Sequence, residues 1–235
     1  MVSDREVPSP PGIRQQPWTP PPGATTIVLV RHGESMPEHP DHPHPTLDGH
    51  ADPDLAPHGH VQAGLVAERL VAEHAAGPAF DAVYVTSLRR THQTAAPFVA
   101  ATGLPVTEVP GLREVHLGEW EGSFRERARS GDPVFLHALE AQRWDVIPGA
   151  EPDDEFRTRV RAGVERIAAA HVDGRVVAVL HGGVIGLVLA MATGTGAFEF
   201  SASDNCSISE VVVLADGRWR VRRFNDTAHL AAAAW

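Results

Sequence analysis

The chain contains no lysine: all 20 of its basic residues are arginine. A Schiff-base lysine, a pyridoxal-phosphate site and a Walker-type phosphate loop are therefore excluded, since each needs an ammonium group. Cysteine is almost absent too. The single Cys206 rules out an intrachain disulfide framework and any zinc site built on several thiolates. No apolar run reaches the roughly 18 residues of a membrane span. The first ten residues, M-V-S-D-R-E-V-P-S-P, hold acids and prolines where a signal peptide has a basic and then an apolar segment. A cytoplasmic location with no membrane partner is the expectation. Positive charge is scarce as well. At a net charge of −10 there is no basic field to neutralise a nucleic-acid backbone.

What is present fits one large α/β domain: 235 residues, 43% of them apolar. Residues 1–24 are rich in proline and poor in aliphatic side chains. They cannot bury enough apolar surface to offset chain entropy, so a disordered leader is expected, with Trp18 pinning part of it to the domain at 25–235. Strands are expected at 25–30, 81–86, 106–109 and 175–180. Helices are expected at 58–74, 87–103, 133–144, 153–171 and 182–192, with Ser87 as an N-cap. A hairpin closes the chain at 207–224 around Asp216-Gly217. Between the first strand and first helix, residues 36–57 carry six prolines and four histidines, which predicts a long, mobile, irregular loop. The alternation of strands and helices gives a three-layer α/β/α sandwich on a mixed, mostly parallel sheet.

Three predicted strands end in polar groups: Arg31-His32, Arg89-Arg90 beyond Thr86, and His181. Ligands of open α/β sheets bind beyond the carboxyl ends of the strands. If these three are parallel, two guanidiniums and two imidazoles meet at one edge, where an anion must offset their mutual repulsion. Arginine's fork of donors matches phosphate oxygens, and helix N-termini after Ser87 and His181 would add partial positive charge.

The motifs R-H-G-E-S at 31–35, D-P-D-L-A-P-H-G at 52–59, S-L-R-R-T-H-Q-T-A at 87–95, L-R-E-V-H-L-G-E-W-E-G at 112–122, H-G-G-V-I at 181–185 and F-N-D-T-A-H-L at 224–230 together resemble the histidine phosphatase superfamily, branch 1, the phosphoglycerate mutase-like group. The likeness spans about residues 25–230. It implies a phosphoglycerate mutase-like fold and a metal-independent, cofactor-free phosphomonoesterase acting on a small phosphorylated metabolite. It implies His32 as nucleophile, and Arg31, Arg90 and His181 as holders of the phosphoryl oxygens, with Ser35 and Gly182 in the same site. Arg90 is preferred over Arg89 because it stands four residues before Thr94. Glu114 is implied as the general acid, then base. His32 should be neutral, its pKa lowered by the arginines, and Glu114 protonated through partial burial, so the rate should vary between acid and neutral pH.

Competing readings are a phosphoglycerate-type phosphomutase and a catalytically idle phosphate-binding domain. Mutases of the family carry Asn six residues after the nucleophile and H-G-N-S-L-R around the second histidine. This chain has Glu38 and H-G-G-V-I-G there, which favours hydrolysis. The acid-phosphatase branch has an arginine where this chain has Ser35. Glu119 and Glu121 are expected at the surface. The histidines at 39, 42, 44 and 50 look like a metal tract but lack carboxylate or cysteine partners, so a solvated loop is the expectation. Cys206 has no arginine six positions later and is expected to be a packed residue, and Asn225-Asp226 a turn device. Phe124, Phe135 and Trp144 suggest an apolar lid over the pocket. A homodimer remains an open alternative to a monomer.

Overall fold

The computed structural model describes residues 15–39 and 42–231. Of the expected leader, residues 1–14 lie outside the described residues. Trp18 lies beneath the Arg222 guanidinium, 4.3 Å from ring centroid to Cζ, and the Gly23 amide donates to Asp173.

The elements follow in the order β1 (Thr25–Arg31), β2 (Thr46–Leu47), β3 (His50–Ala51), α1 (Pro57–Ala76), β4 (Ala82–Val85), α2 (Arg89–Thr102), β5 (Val106–Glu108), α3 (Phe124–Ser130), α4 (Pro133–Ala141), α5 (Asp153–Ala170), β6 (Arg175–Leu180), α6 (Gly182–Thr193), β7 (Ile208–Val213) and β8 (Trp219–Asp226). Six strands form one sheet in the order β5-β4-β6-β1-β7-β8. β5, β4, β6 and β1 run parallel, β7 is antiparallel to β1, and β8 is antiparallel to β7.

Strand side chains alternate between faces, and here they supply two separate cores. Val28, Val30, Val83, Val85, Val177 and Val179 face Val66 and Leu70 of α1 and Phe98 of α2. Ile27, Leu29, Tyr84, Val176 and Leu180 face Phe156, Val160 and Val164 of α5, together with α6 and a cluster holding Trp120 and Trp144. The result is the α/β/α sandwich the sequence predicts. Parallel strands covered on both faces read as continuous apolar runs, which is why β1 and β6 were identifiable with their ends in place.

Three details differ from the sequence reading. Of the 36–57 stretch only Pro57 is helical, as the first residue of α1, and the described remainder is not structureless. β2 and β3 pair through Asp48-Gly49, both at positive φ (50° and 86°), as a two-residue hairpin turn requires. The helix expected at 133–144 is α4, which ends early at Ala141, and a further helix, α3, stands before it: α3 ends at Gly131, and Asp132, accepting the Val134 amide, starts α4 afresh with Pro133 in its first turn. Ser87 does not cap α2. Its hydroxyl is buried with no partner among the described residues, and the cap comes from Asp52, whose carboxylate accepts the Arg89 amide at 2.8 Å.

Candidate active site

The register of the sheet builds the site. Arg31 of β1 pairs with Leu180 of β6, so the next residues, His32 and His181, leave adjacent parallel strands side by side. The His32 amide donates to the Leu180 carbonyl at 2.9 Å, and the two imidazoles lie 5.2 Å apart, edge to face. β4 contributes the third end. Thr86, just beyond it, meets His181 Nε2 at 2.9 Å through its hydroxyl. The expected convergence of three strand ends is what the sheet produces.

His32 is held by its surroundings at several points. Its Nδ1 lies 2.8 Å from the Gly33 carbonyl, its own carbonyl accepts Asn205 Nδ2, and the Gly33 amide donates to Thr94 Oγ at 2.9 Å. A carbonyl oxygen only accepts, so Nδ1 carries the proton and Nε2 the lone pair. Gly33 sits where the turn crosses the first turn of α1: a Cβ there would lie 2.6 Å from the Gly59 carbonyl. Both ring systems are buried. Burial is the leading cause that holds the His32 pKa well below its ordinary value, with the Arg90 and Arg31 charges adding to it. The sequence reading credited the arginines alone. His181 is pushed well down by the same causes, burial first, then Arg90, with His32 and Arg31 contributing. Its Nδ1 is buried and makes no hydrogen bond among the described residues.

Three guanidiniums surround the imidazoles, and each meets a neutral oxygen. Arg31 donates to the Ser203 carbonyl, Arg90 Nη1 to the Ala51 carbonyl at 2.9 Å, and Arg125 Nη2 to Ser35 Oγ at 3.0 Å. Arg31 Nε is also buried without a partner among the described residues. Arg89, in contrast, turns away and pairs with Asp52 at 3.0 Å and Asp54 at 3.3 Å. The choice between the twin arginines is thereby made by a carboxylate from the hairpin loop. Arg125 was not anticipated. It sits at the start of α3, in a segment without apolar periodicity and away from any strand end. Glu38 brings it in by accepting its backbone amide at 3.1 Å.

Glu114 stands across the cleft, its Oε2 accepting the Gly183 amide and its Oε1 the Val115 amide, both at 3.0 Å. Gly183 leaves room for it: a Cβ there would fall 2.5 Å from Glu114 Oε1. The Glu114 carbonyl accepts from Arg159 Nη2 at 2.8 Å, and Arg159 in turn is clamped by Glu151. His50 Nε2 donates to the same carbonyl at 3.1 Å. The expectation of two free helix dipoles is therefore corrected. The α2 terminus is met by Asp52 and the α6 terminus by Glu114, so positive potential comes from side chains. Glu121 is corrected as well. It lines the cleft and accepts the Ala51 and Leu117 amides at 2.8 Å each, tying the β2–β3 hairpin to the 112–122 loop.

Ser35 and Gly182 both line the cleft, a cavity of about 440 Å³ whose wall includes Phe124, Phe135 and Trp144. Among the described residues no group of three or more His, Cys, Asp or Glu is arranged to hold a metal ion. His44 and His50 of the His-rich tract line the cleft, whereas His39 and His42 stack on each other at 4.8 Å. Cys206 is fully buried, and burial pushes its thiol up to about 12, which removes it as a nucleophile. Asp226 accepts the Ala228 amide at 3.0 Å, a turn contact as expected. No helix of the described residues is long and apolar enough to cross a membrane.

Comparison with known proteins agrees with this geometry. The family described as "Histidine phosphatase superfamily (branch 1)" matches residues 27–227. Among curated relatives, the "Metal-independent phosphoserine phosphatase" of Arabidopsis thaliana is 33% identical over 215 residues, covering 90% of this chain and 85% of that protein. "Phosphoglycerate mutase-like protein 4" of the same plant is 33% identical over 207 residues, 87% of this chain and 86% of that protein. Among solved structures, the mycobacterial glucosyl-3-phosphoglycerate phosphatase superposes with a TM-score of 0.68 at 26% identity, over 85% of this chain and 98% of that one.

Proposed function

This chain belongs to the histidine phosphatase superfamily, branch 1, and from that premise we propose that it is a metal-independent phosphomonoesterase working through a phosphohistidine at His32. One observation carries the reading. The Nδ1 contact to the Gly33 carbonyl leaves the His32 Nε2 lone pair free beside three guanidiniums that no carboxylate among the described residues neutralises by hydrogen bonding. A buried cationic floor of this kind matches the charge spread over phosphoryl oxygens in transfer.

In the first half-reaction His32 Nε2 attacks phosphorus. The N–P bond forms, the ester P–O bond breaks in line, and Glu114 gives its proton to the departing alcohol oxygen. Arg31, Arg90 and His181 hold the three oxygens not in line, with Ser35 and Gly182 close to them. In the second half, ionised Glu114 takes a proton from water. The water oxygen attacks phosphorus, the N–P bond breaks, and inorganic phosphate leaves with His32 neutral again. The relatives' names support hydrolysis of small phosphate esters, and one mutase-like name keeps a phosphomutase as the alternative. Glu38 favours hydrolysis, since its carboxylate is engaged by the Arg125 and Glu126 amides and adds negative charge where a mutase must retain a second anion.

The test is an assay of an aryl phosphate in EDTA, run beside His32→Ala. The variant should lose at least about 10³-fold in kcat, as for other covalent nucleophiles, and the native enzyme should yield an acid-labile phosphoryl adduct on quenching. Equal activity in both proteins would sink the mechanism, and loss of activity in EDTA would sink the metal-independent reading. A panel that includes 3-phosphoglycerate separates phosphatase from mutase by whether inorganic phosphate or an isomer appears.

A further inference from the structure

The cleft has two unlike halves. Beneath lie the groups that hold the phosphoryl unit. Above them a chain of rings runs from Phe135 to Phe124 (5.9 Å between centroids), on to Trp144 (5.8 Å) and then to Phe198 (4.3 Å). Leu139 and Met36 join this wall while standing 41% and 42% exposed at the mouth. Once the phosphoryl oxygens have engaged Arg31, Arg90 and His181, and with Glu114 protonated for the first step, the charged groups left on the lining are Arg125 and two carboxylates, Glu38 and Glu121. Arg125 is already bonded to Ser35, on the phosphoryl side. A leaving group with its own carboxylate would meet an acidic balance and an apolar wall. An apolar leaving group would meet a continuous wall of rings packed on one another.

From this we infer that the cleft selects phosphomonoesters whose alcohol portion is apolar, preferably aromatic, over esters of carboxylate-bearing alcohols such as phosphoserine or phosphoglycerate. The selectivity rests on the phosphatase reading for its assay, and on the ring wall for its physics. Contacts remote from phosphorus are made equally in the ground and transition states, so they lower KM and leave kcat level.

Ethyl, butyl, hexyl and 2-phenylethyl phosphate have alcohols of similar acidity, so differences among them report the wall and not the chemistry. From the usual gain on burying a methylene, kcat/KM should rise about fourfold per added methylene, carried by KM. O-phosphoserine should fall below butyl phosphate. Leu139→Asp, at an exposed position that folding does not depend on, should flatten the rise by placing a charge at the mouth. A flat series, a preference for O-phosphoserine, or an undiminished slope in Leu139→Asp would each overturn the inference. Calorimetry with ethylphosphonate and hexylphosphonate, which cannot be hydrolysed, separates the two readings. A protein inert to every ester that still bound hexylphosphonate at least tenfold more tightly would overturn the phosphatase and retain the apolar subsite. Equal binding of the two would overturn the subsite whatever the activity.

Discussion

Two groups of three arginines occupy opposite electrostatic circumstances in this fold. Arg69, Arg175 and Arg223 converge on Glu73, at 2.9, 2.6 and 3.1 Å, with Glu210 and Asp226 completing the set. Arg31, Arg90 and Arg125 converge on two buried histidines and, among the described residues, hydrogen-bond only neutral oxygens. In the first group the chain supplies every counter-charge. In the second, carboxylates such as Glu114 act on Arg31 and Arg90 only through space, with no hydrogen bond to them among the described residues, so the guanidinium donors are left for a bound anion. Counting arginines would not distinguish the two groups; the identity of each hydrogen-bond acceptor does.

The sharpest way to break this comparison is substitution within each group. Arg90→Ala should reduce kcat/KM by about 10²–10³-fold, the usual loss for one preorganised oxyanion donor, with no loss of thermal stability. Arg89→Ala, whose guanidinium already has Asp52 and Asp54, should stay within a few-fold in the same steady-state assay. If the twins behaved alike, the division between through-space and hydrogen-bonded counter-charge would fail.

Glu73→Gln should do the reverse, costing about 1 kcal/mol in denaturant unfolding because three part-buried guanidiniums lose their shared counter-charge and keep only Glu210 and Asp226, while kcat/KM stays unchanged. Although burial alone would raise its pKa, Arg223, Arg175 and Arg69 bring Glu73 down to about 2. Its folded value is below its unfolded one, so its stabilisation is full above about pH 4.5 and fades as pH falls towards 2.

The cleft should fade in a different window. His32 and His181 are held neutral in the folded state, with pKa values well below 6.5. Below that pH the unfolded chain binds protons that the folded one refuses, so stability falls by about 1.4 kcal/mol per pH unit for each histidine. Melting temperatures measured from pH 7.5 to 5 should drop in the native protein and in Glu73→Gln alike. A flat profile would mean that the imidazoles are not sealed. The same shift keeps the His32 nucleophile unprotonated, so the acid limb of kcat/KM should lie well below the ordinary histidine range.

The smallest effect concerns Arg125. Arg125→Met should weaken inorganic phosphate binding by about tenfold at low salt, the scale of one partly exposed charge-assisted contact, as read by calorimetry. The difference should shrink as ionic strength rises.

Legibility in the sequence followed the physics of each segment. The strand ends were readable because β1 and β6 are covered on both faces and so appear as unbroken apolar runs, each with its polar group at a fixed place. Glu114 came only through family likeness, since an isolated carboxylate in a 3-10-rich loop carries no period. Arg125 and Glu121 were missed or misplaced for a related reason: the Arg125 amide donates to the Glu38 carboxylate and the Glu121 carboxylate accepts the Ala51 amide, contacts across 87 and 70 residues that no local pattern encodes. The Ser87 cap failed because the true cap, Asp52, lies 37 residues from Arg89 in the chain. The β2–β3 hairpin carried the right turn residues, Asp48-Gly49, but sat among prolines that masked it.

The pairing of Arg31 with Leu180 has a consequence for how this chain tolerates change in length. His32 and His181 each sit one step past a paired strand, with no loop between to absorb an extra residue. A single insertion or deletion within 25–31 or 175–180 would carry one imidazole out of the cleft and exchange the residues its strand presents to the two cores. The 195–200 segment, ahead of the Ser203 and Asn205 contacts to Arg31 and His32, faces no such limit. Length variation across related sequences is therefore expected to gather around the apolar wall and the mouth, leaving the phosphoryl floor at constant spacing. Substrate preference can then change by lengthening or shortening segments without disturbing the chemistry beneath them.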